Sequence, residues 1–208
     1  MIIINIFYNE KDKAFKLRAN NTDYMMKVCE EGYLAHVYYG NKVPDEDLTY
    51  LLRLDESPFT PATNDRDRAS FMDTLPFEYP CFGVGDYRES AFKIMDANGM
   101  STCDLRYVSH KMYEGKPKLE GLPATFATEE SGCSTLEITM YDKYANIEVV
   151  LIYTAFDKLD VITRSAVITN KSEKPFKITR ALSACVDFDT DKMDMITLNG
   201  SWARERAV

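Results

Sequence analysis

The chain has 208 residues and a formal net charge of −8, with 45% hydrophobic and 28% charged residues. That composition belongs to a folded globular protein and not to a disordered one. The acidic balance excludes nucleic acid and an anionic membrane surface as default partners, since both select clustered Lys and Arg. The length can bury a substantial core and fits one large all-β domain or two small ones.

The N-terminus, Met1 to Tyr8, is apolar but has no basic leader and no small-residue cleavage site, and it is too short to span a bilayer. It reads as a first strand, in a chain expected to be cytoplasmic. Asn9-Glu10-Lys11-Asp12 separates it from the next strand. Glu30-Glu31-Gly32 then separates a strand over Tyr24–Cys29 from one over Leu34–Tyr39. The best helical signal is short. Pro44 suits a first-turn position, Asp45, Glu46 and Asp47 complement the helix dipole, and Leu48, Leu51 and Leu52 follow.

From about Asp55 to Arg88 the rhythm breaks. Six Pro and Gly residues (Pro58, Pro61, Pro76, Pro80, Gly83, Gly85) alternate with charges and with the aromatics Phe59, Phe71, Phe77, Tyr79, Phe82 and Tyr87. An irregular stretch of this length is functional or disordered, and its aromatics favour an ordered loop. Asp55, Asp65, Asp67, Asp73, Glu78, Asp86 and Glu89 lie here beside Arg53, Arg66, Arg68 and Arg88. Carboxylates with aromatics suit sugar binding, because hydroxyls donate to oxygen acceptors and C–H faces stack on rings. Charge bracing on a solvated surface explains the same residues equally well.

Period two dominates the second half. Asn98-Gly99 suits a type I′ hairpin between Ala91–Met95 and Thr102–Tyr107. Leu136 to Met140 alternates cleanly. Ile147 to Phe156 is nearly continuously apolar and reads as a strand buried on both faces. Val161–Thr169 and Phe176–Thr179 flank a longer polar hairpin loop, Asn170 to Pro175, and a further alternation runs from Leu182 to Asp189. The expectation is all-β: antiparallel sheets packed face to face, with at most short helices.

Chemistry-bearing groups are few. His36 lies within a strand and His110 follows Tyr107-Val108-Ser109, so each is a general base, a sugar-contacting imidazole or a hydrogen-bonded structural one. No Ser/His/Asp or Cys/His arrangement assembles by spacing. Asp187, Asp189, Asp191 and Asp194 are too irregular for a calcium loop. The five cysteines are widely spaced without a C-x-x-C pair, which fits reduced core thiols and neither zinc nor a disulfide framework. No metal or cofactor is expected.

One ordered set of segments carries a resemblance. Gly32-Tyr-Leu-Ala-His-Val-Tyr38, Arg53-Leu54-Asp55, Asp73-Thr-Leu-Pro-Phe-Glu-Tyr-Pro80, Gly85-Asp-Tyr-Arg88, Gly121-Leu-Pro-Ala-Thr125, Val161-Ile-Thr-Arg-Ser165 and Gly200-Ser-Trp-Ala-Arg-Glu-Arg206 follow one another along nearly the whole chain. Together they resemble the N-terminal domain of glycoside hydrolase family 36 α-galactosidases of the bacterial raffinose- and melibiose-cleaving type. The resemblance implies a β-supersandwich (galactose mutarotase-like) domain over 1–208, expected to end at the boundary of a (β/α)₈ catalytic barrel. The barrel would hold both aspartates of a retaining mechanism, so no catalytic residue is expected in this chain.

The resemblance further implies α-1,6-galactoside oligosaccharides as substrate, with the barrel and neighbouring subunits of a homotetramer as partners. Asp55 would hydrogen-bond galactose hydroxyls and Trp202 would line the sugar site. For Asp55, bracing of Arg53 or Arg66 is the competing role; for Trp202, it is a buried anchor at the domain junction. Two other readings stay open: a free-standing carbohydrate-binding module, and an aldose mutarotase using a His/Glu acid–base pair.

Overall fold

The computed structural model describes residues 2–3, 5–29, 31–46, 48–52, 71–83, 86–121, 124–188 and 190–207. It is all-β and antiparallel, as the period-two patterning predicts. The first sheet contains β1 (Ile2–Ile3), β2 (Ile6–Asn9), β3 (Ala14–Ala19), β4 (Thr22–Val28) and β5 (Leu34–Asn41) in that order. The chain continues through β6 (Phe92–Met95), β7 (Arg106–Glu114), β8 (Cys133–Asp142), β9 (Ile147–Phe156), β10 (Ile162–Asn170), β11 (Lys177–Ala181), β12 (Asn199–Ser201) and β13 (Arg204–Ala207). The second sheet runs β10-β9-β8-β7, while β11 pairs β6 and β12 pairs β13.

The two large sheets share one core. Phe15, Leu17, Tyr24 and Met26 of the first meet Leu136, Ile138, Val149, Leu151 and Tyr153 of the second, all buried. Alternation along β8 explains this layer, with Leu136, Ile138 and Met140 inside and Glu137 and Thr139 half-buried. In β9 every residue from Leu151 to Phe156 is buried, because the strand lies inside its sheet and beneath covering segments.

Local chemistry closes the tight connections. Asn9 Oδ1 accepts from the amides of Lys11 and Asp12 at 3.0 and 3.4 Å, turning β2 into β3. Asp142 Oδ1 accepts from Tyr144 and Ala145 at 2.7 and 2.9 Å, and Asn146 takes φ 58°, turning β8 into β9.

Four expectations need correction. Asn98-Gly99 does form a turn: Asp96 Oδ1 accepts the amides of Asn98 and Met100, both at 2.8 Å, and Gly99 has φ 83°. Yet its flanks do not pair as a hairpin, since β6 pairs with β11 and Cys103 donates its amide to Phe82 O at 3.0 Å. The Asn170–Pro175 loop likewise crosses between pairings instead of closing a hairpin, because β10 pairs β9 and β11 pairs β6.

The helix at Pro44–Leu52 reduces to a 3₁₀ turn over Thr49–Leu51. The carbonyls that would accept its first hydrogen bonds are already taken: Arg18 Nη2 holds Val43 O at 2.9 Å and Lys16 Nζ holds Pro44 O at 2.6 Å. The alternation at Leu182–Asp189 builds no strand among the described residues. Its backbone is satisfied piecemeal: Leu182 donates to Ala91 O at 2.8 Å, while its carbonyl accepts the Tyr79 hydroxyl at 3.0 Å.

Two carboxylates tie loops to strands at the rim. Hydrogen bonds from Lys16 and Arg18 hold Asp45 below the usual carboxylate range, and the Asn21 amide, donating at 2.6 Å, does the same for Asp160. A carboxylate whose folded pKa lies below its unfolded value stabilises the fold above the unfolded pKa, about 4, and loses that contribution as pH falls through the folded one. Urea midpoints measured from pH 6 down to pH 3 should therefore fall less steeply in an Asp45→Asn/Asp160→Asn double variant than in the parent. Parallel curves would remove both groups from the acid response.

Candidate functional site

A buried charge cluster lies where the two sheets meet the Asp73–Pro80 segment. Glu78 is fully buried, and its carboxylate accepts the Tyr24 hydroxyl at 2.8 Å and the Tyr153 hydroxyl at 2.7 Å. Arg164 Nη1 of β10 lies 2.9 Å from the same Oε1, and its Nη2 donates to Glu78 O at 2.5 Å. Burial and the neighbouring Glu78 charge push both tyrosine hydroxyls well above their ordinary range, so they remain proton donors to the carboxylate. The carboxylate thus spans from β4 to β9 and β10.

His36 of β5 joins this cluster from the side. Its Nδ1 stands 3.4 Å from Glu78 Oε2 without hydrogen-bond geometry, and its ring packs on Tyr24 at 4.9 Å between centroids. The residue is 5% exposed, and it borders an open cleft of about 360 Å³. Tyr39, Leu52, Pro76, Arg88, Asp187 and Phe188 also line that cleft. Tyr39 and Phe188 lie 6.2 Å apart between ring centroids and are 44% and 48% exposed. Arg88 is braced from behind: its Nε donates to Asp86 Oδ1 at 2.9 Å and its Nη2 to Leu75 O at 2.7 Å.

The expected site residues are placed as follows. Asp55 and the rest of its Arg53-Leu54-Asp55 motif lie outside the described residues, as do Asp65 and Asp67. Trp202 sits in the two-residue turn between β12 and β13 and is 94% exposed. It is not a buried anchor within this chain. His110 packs between Tyr8 and Phe15, with Nδ1 2.7 Å from the Tyr107 hydroxyl; burial lowers its pKa, which fits a structural imidazole. Among the described residues no group of three His, Cys, Asp or Glu is placed to hold a metal ion, and Asp187, Asp191 and Asp194 do not converge.

Sequence reading missed the Glu78–Arg164 pair, whose partners are 86 positions apart. The available signal was a charge inside each of two apolar motifs, Asp73–Pro80 and Val161–Ser165. A charged residue at such a position is retained only with a buried partner.

Comparison with known proteins decides the family. The profile of the glycosyl hydrolase family 36 N-terminal domain matches residues 32–208. The chain belongs to that family. It is 45% identical over 204 residues to the α-galactosidase AgaA of Geobacillus stearothermophilus, covering 98% of this chain and 28% of AgaA. It is 39% identical to the bifunctional α-galactosidase/sucrose kinase AgaSK of Mediterraneibacter gnavus, covering 97% of this chain and 22% of AgaSK.

Crystal structures of AgaA variants, one in complex with raffinose and one with 1-deoxygalactonojirimycin, superpose with a TM-score of 0.85 at 44% identity, over 93% of this chain and 27% of theirs. The family 36 N-terminal domain described here thus spans less than a third of these relatives. The motifs Asp73–Pro80, Val161–Ser165 and Gly32–Tyr38, which carry the resemblance, supply Glu78, Arg164 and His36 and meet in one buried cluster.

Proposed function

We propose that this chain is the N-terminal domain of an α-galactosidase that releases terminal α-1,6-linked galactose from raffinose-type oligosaccharides and melibiose. The domain contributes sugar-contacting residues and an assembly surface. The two catalytic carboxylates of a retaining mechanism belong to a barrel outside this chain. Asp55 supplies paired acceptors to galactose hydroxyls, and Trp202 supplies an apolar platform with one N–H donor. The enzyme works in the cytoplasm as a homotetramer, and 1–208 is a single folding unit within it.

Family membership supports the reading, as does the raffinose complex of the relative AgaA. The observation that carries it is the exposed indole. A Trp held in a hairpin turn at 94% exposure loses its hydrophobic stabilisation unless something outside these residues covers it. Met195, Ile196 and Leu198, which precede it, are likewise exposed and extend the apolar surface that a following domain or neighbouring subunit would bury.

Activity should separate with the polypeptide. The purified 208-residue chain is expected to release no nitrophenol from p-nitrophenyl α-galactoside, while the full-length protein turns it over. Turnover by the short chain would place the reacting carboxylates within it and overturn the assignment. No turnover by the full-length protein would remove the α-galactosidase reading altogether.

A further inference from the structure

The cleft beside His36 has a composition that the buried cluster alone does not require. Its aromatic wall, Tyr39 and Phe188, is half exposed, and the two rings are tilted by 42°. Its floor is His36, whose Nδ1 is buried 3.4 Å from Glu78 Oε2 without hydrogen-bond geometry and whose ring borders the cleft. The second ring nitrogen, Nε2, is the group the imidazole can offer to a ligand in the cleft. Asp187, exposed at the rim, offers carboxylate acceptors.

The charges narrow the ligand class. Among the described residues Arg88 is the guanidinium at the cleft, and its Nε and Nη2 donate to Asp86 and to the carbonyls of Met72 and Leu75. Asp86 and Asp187 both act on it, so among the described residues no net positive charge favours a phosphate or carboxylate. Among the described residues the cleft has one imidazole and one carboxylate, too few for a metal centre. A neutral ligand with hydroxyls along one edge and an apolar C–H face matches what is left. The volume of about 360 Å³ lies at the small end of ligand pockets and suits one or two sugar rings.

We propose that this cleft binds a pyranose unit of the α-galactoside oligosaccharides, stacking it on Tyr39 and Phe188 and holding its hydroxyls through His36 Nε2 and Asp187. The proposal rests on the α-galactosidase reading for the identity of the sugar. Its residues differ from Asp55 and Trp202, so its failure is separable from that reading's.

The test is saturation-transfer NMR on the full-length protein with raffinose, in the presence of saturating 1-deoxygalactonojirimycin to occupy the galactose site of the reaction. Transfer to raffinose protons should persist under the inhibitor. It should fall at least about fivefold in Tyr39→Ala, an exposed position whose truncation leaves the core intact, and in His36→Gln. Circular dichroism and thermal midpoints on both variants keep a folding defect distinct from lost binding. Absence of transfer under the inhibitor would overturn the proposal, and so would equal transfer in parent and folded Tyr39→Ala. Raffinose turnover without the inhibitor reports separately on the enzyme assignment.

Discussion

Replacing Arg164 by alanine is expected to cost about 3–5 kcal/mol of stability, because it leaves the Glu78 carboxylate buried without its counter-charge. Glu78 has no exposure and the Arg164 side chain retains 9%, so solvent cannot take over the lost interaction. For a domain of this size such a loss lowers the thermal midpoint by roughly 6–20 °C. The cost comes from the orphaned charge and not from an intrinsic strength of the pair. A matched apolar replacement, Glu78→Leu with Arg164→Met and with Tyr24→Phe and Tyr153→Phe to remove the hydroxyls left without an acceptor, should therefore recover at least half of the loss. Urea denaturation of the three proteins checks this. An Arg164→Ala cost within about 0.5 kcal/mol, typical of a surface substitution, would contradict the role given to the cluster.

Strands were the legible part of this sequence, for a reason specific to them. A strand's period lies in contiguous residues, so Leu136, Ile138 and Met140 announce the buried face of β8 and the apolar run Ile147–Phe156 announces β9 with its observed limits. Partner choice is not local. The Asn98-Gly99 turn was readable from two residues, but whether its flanks pair depends on β11, some 80 positions away, which takes β6 first. The same holds for the helix signal at Pro44, whose acceptors are consumed by Lys16 and Arg18 from β3. Alternation at Leu182–Asp189 misled because alternation describes two environments, not a ladder.

The proposed sugar contacts, Asp55 and Trp202, come only from the resemblance. Nothing in spacing singles out Asp55 among the acidic residues around it, and Trp202 carries no local signature beyond being the only tryptophan. Conversely, His36 looked like a lone strand imidazole. Its approach to Glu78 and to the cleft follows from a 42-residue excursion that returns the Asp73–Pro80 segment against β5, with the His36 amide donating to Pro76 O at 2.7 Å and the Glu78 amide to Leu34 O at 2.9 Å.

The central claim is that this domain lends a carboxylate to a galactose site whose reacting groups lie elsewhere in the full-length protein. A hydrogen bond from a sugar hydroxyl to a charged acceptor contributes about 1.5–3 kcal/mol, which corresponds to roughly 10- to 100-fold in kcat/KM. Asp55 would hold hydroxyls that stay in place throughout the reaction, so it supports ground state and transition state alike, and its loss should appear mainly in KM. Stacking on Trp202 is worth less, about 0.5–1.5 kcal/mol, and Trp202→Ala should cost a smaller factor in the same parameter. The deciding measurement is steady-state hydrolysis of raffinose by the full-length protein and its Asp55→Ala variant. The account predicts KM raised by roughly 10- to 100-fold with kcat largely kept; unchanged KM and kcat in a folded Asp55→Ala protein would contradict it.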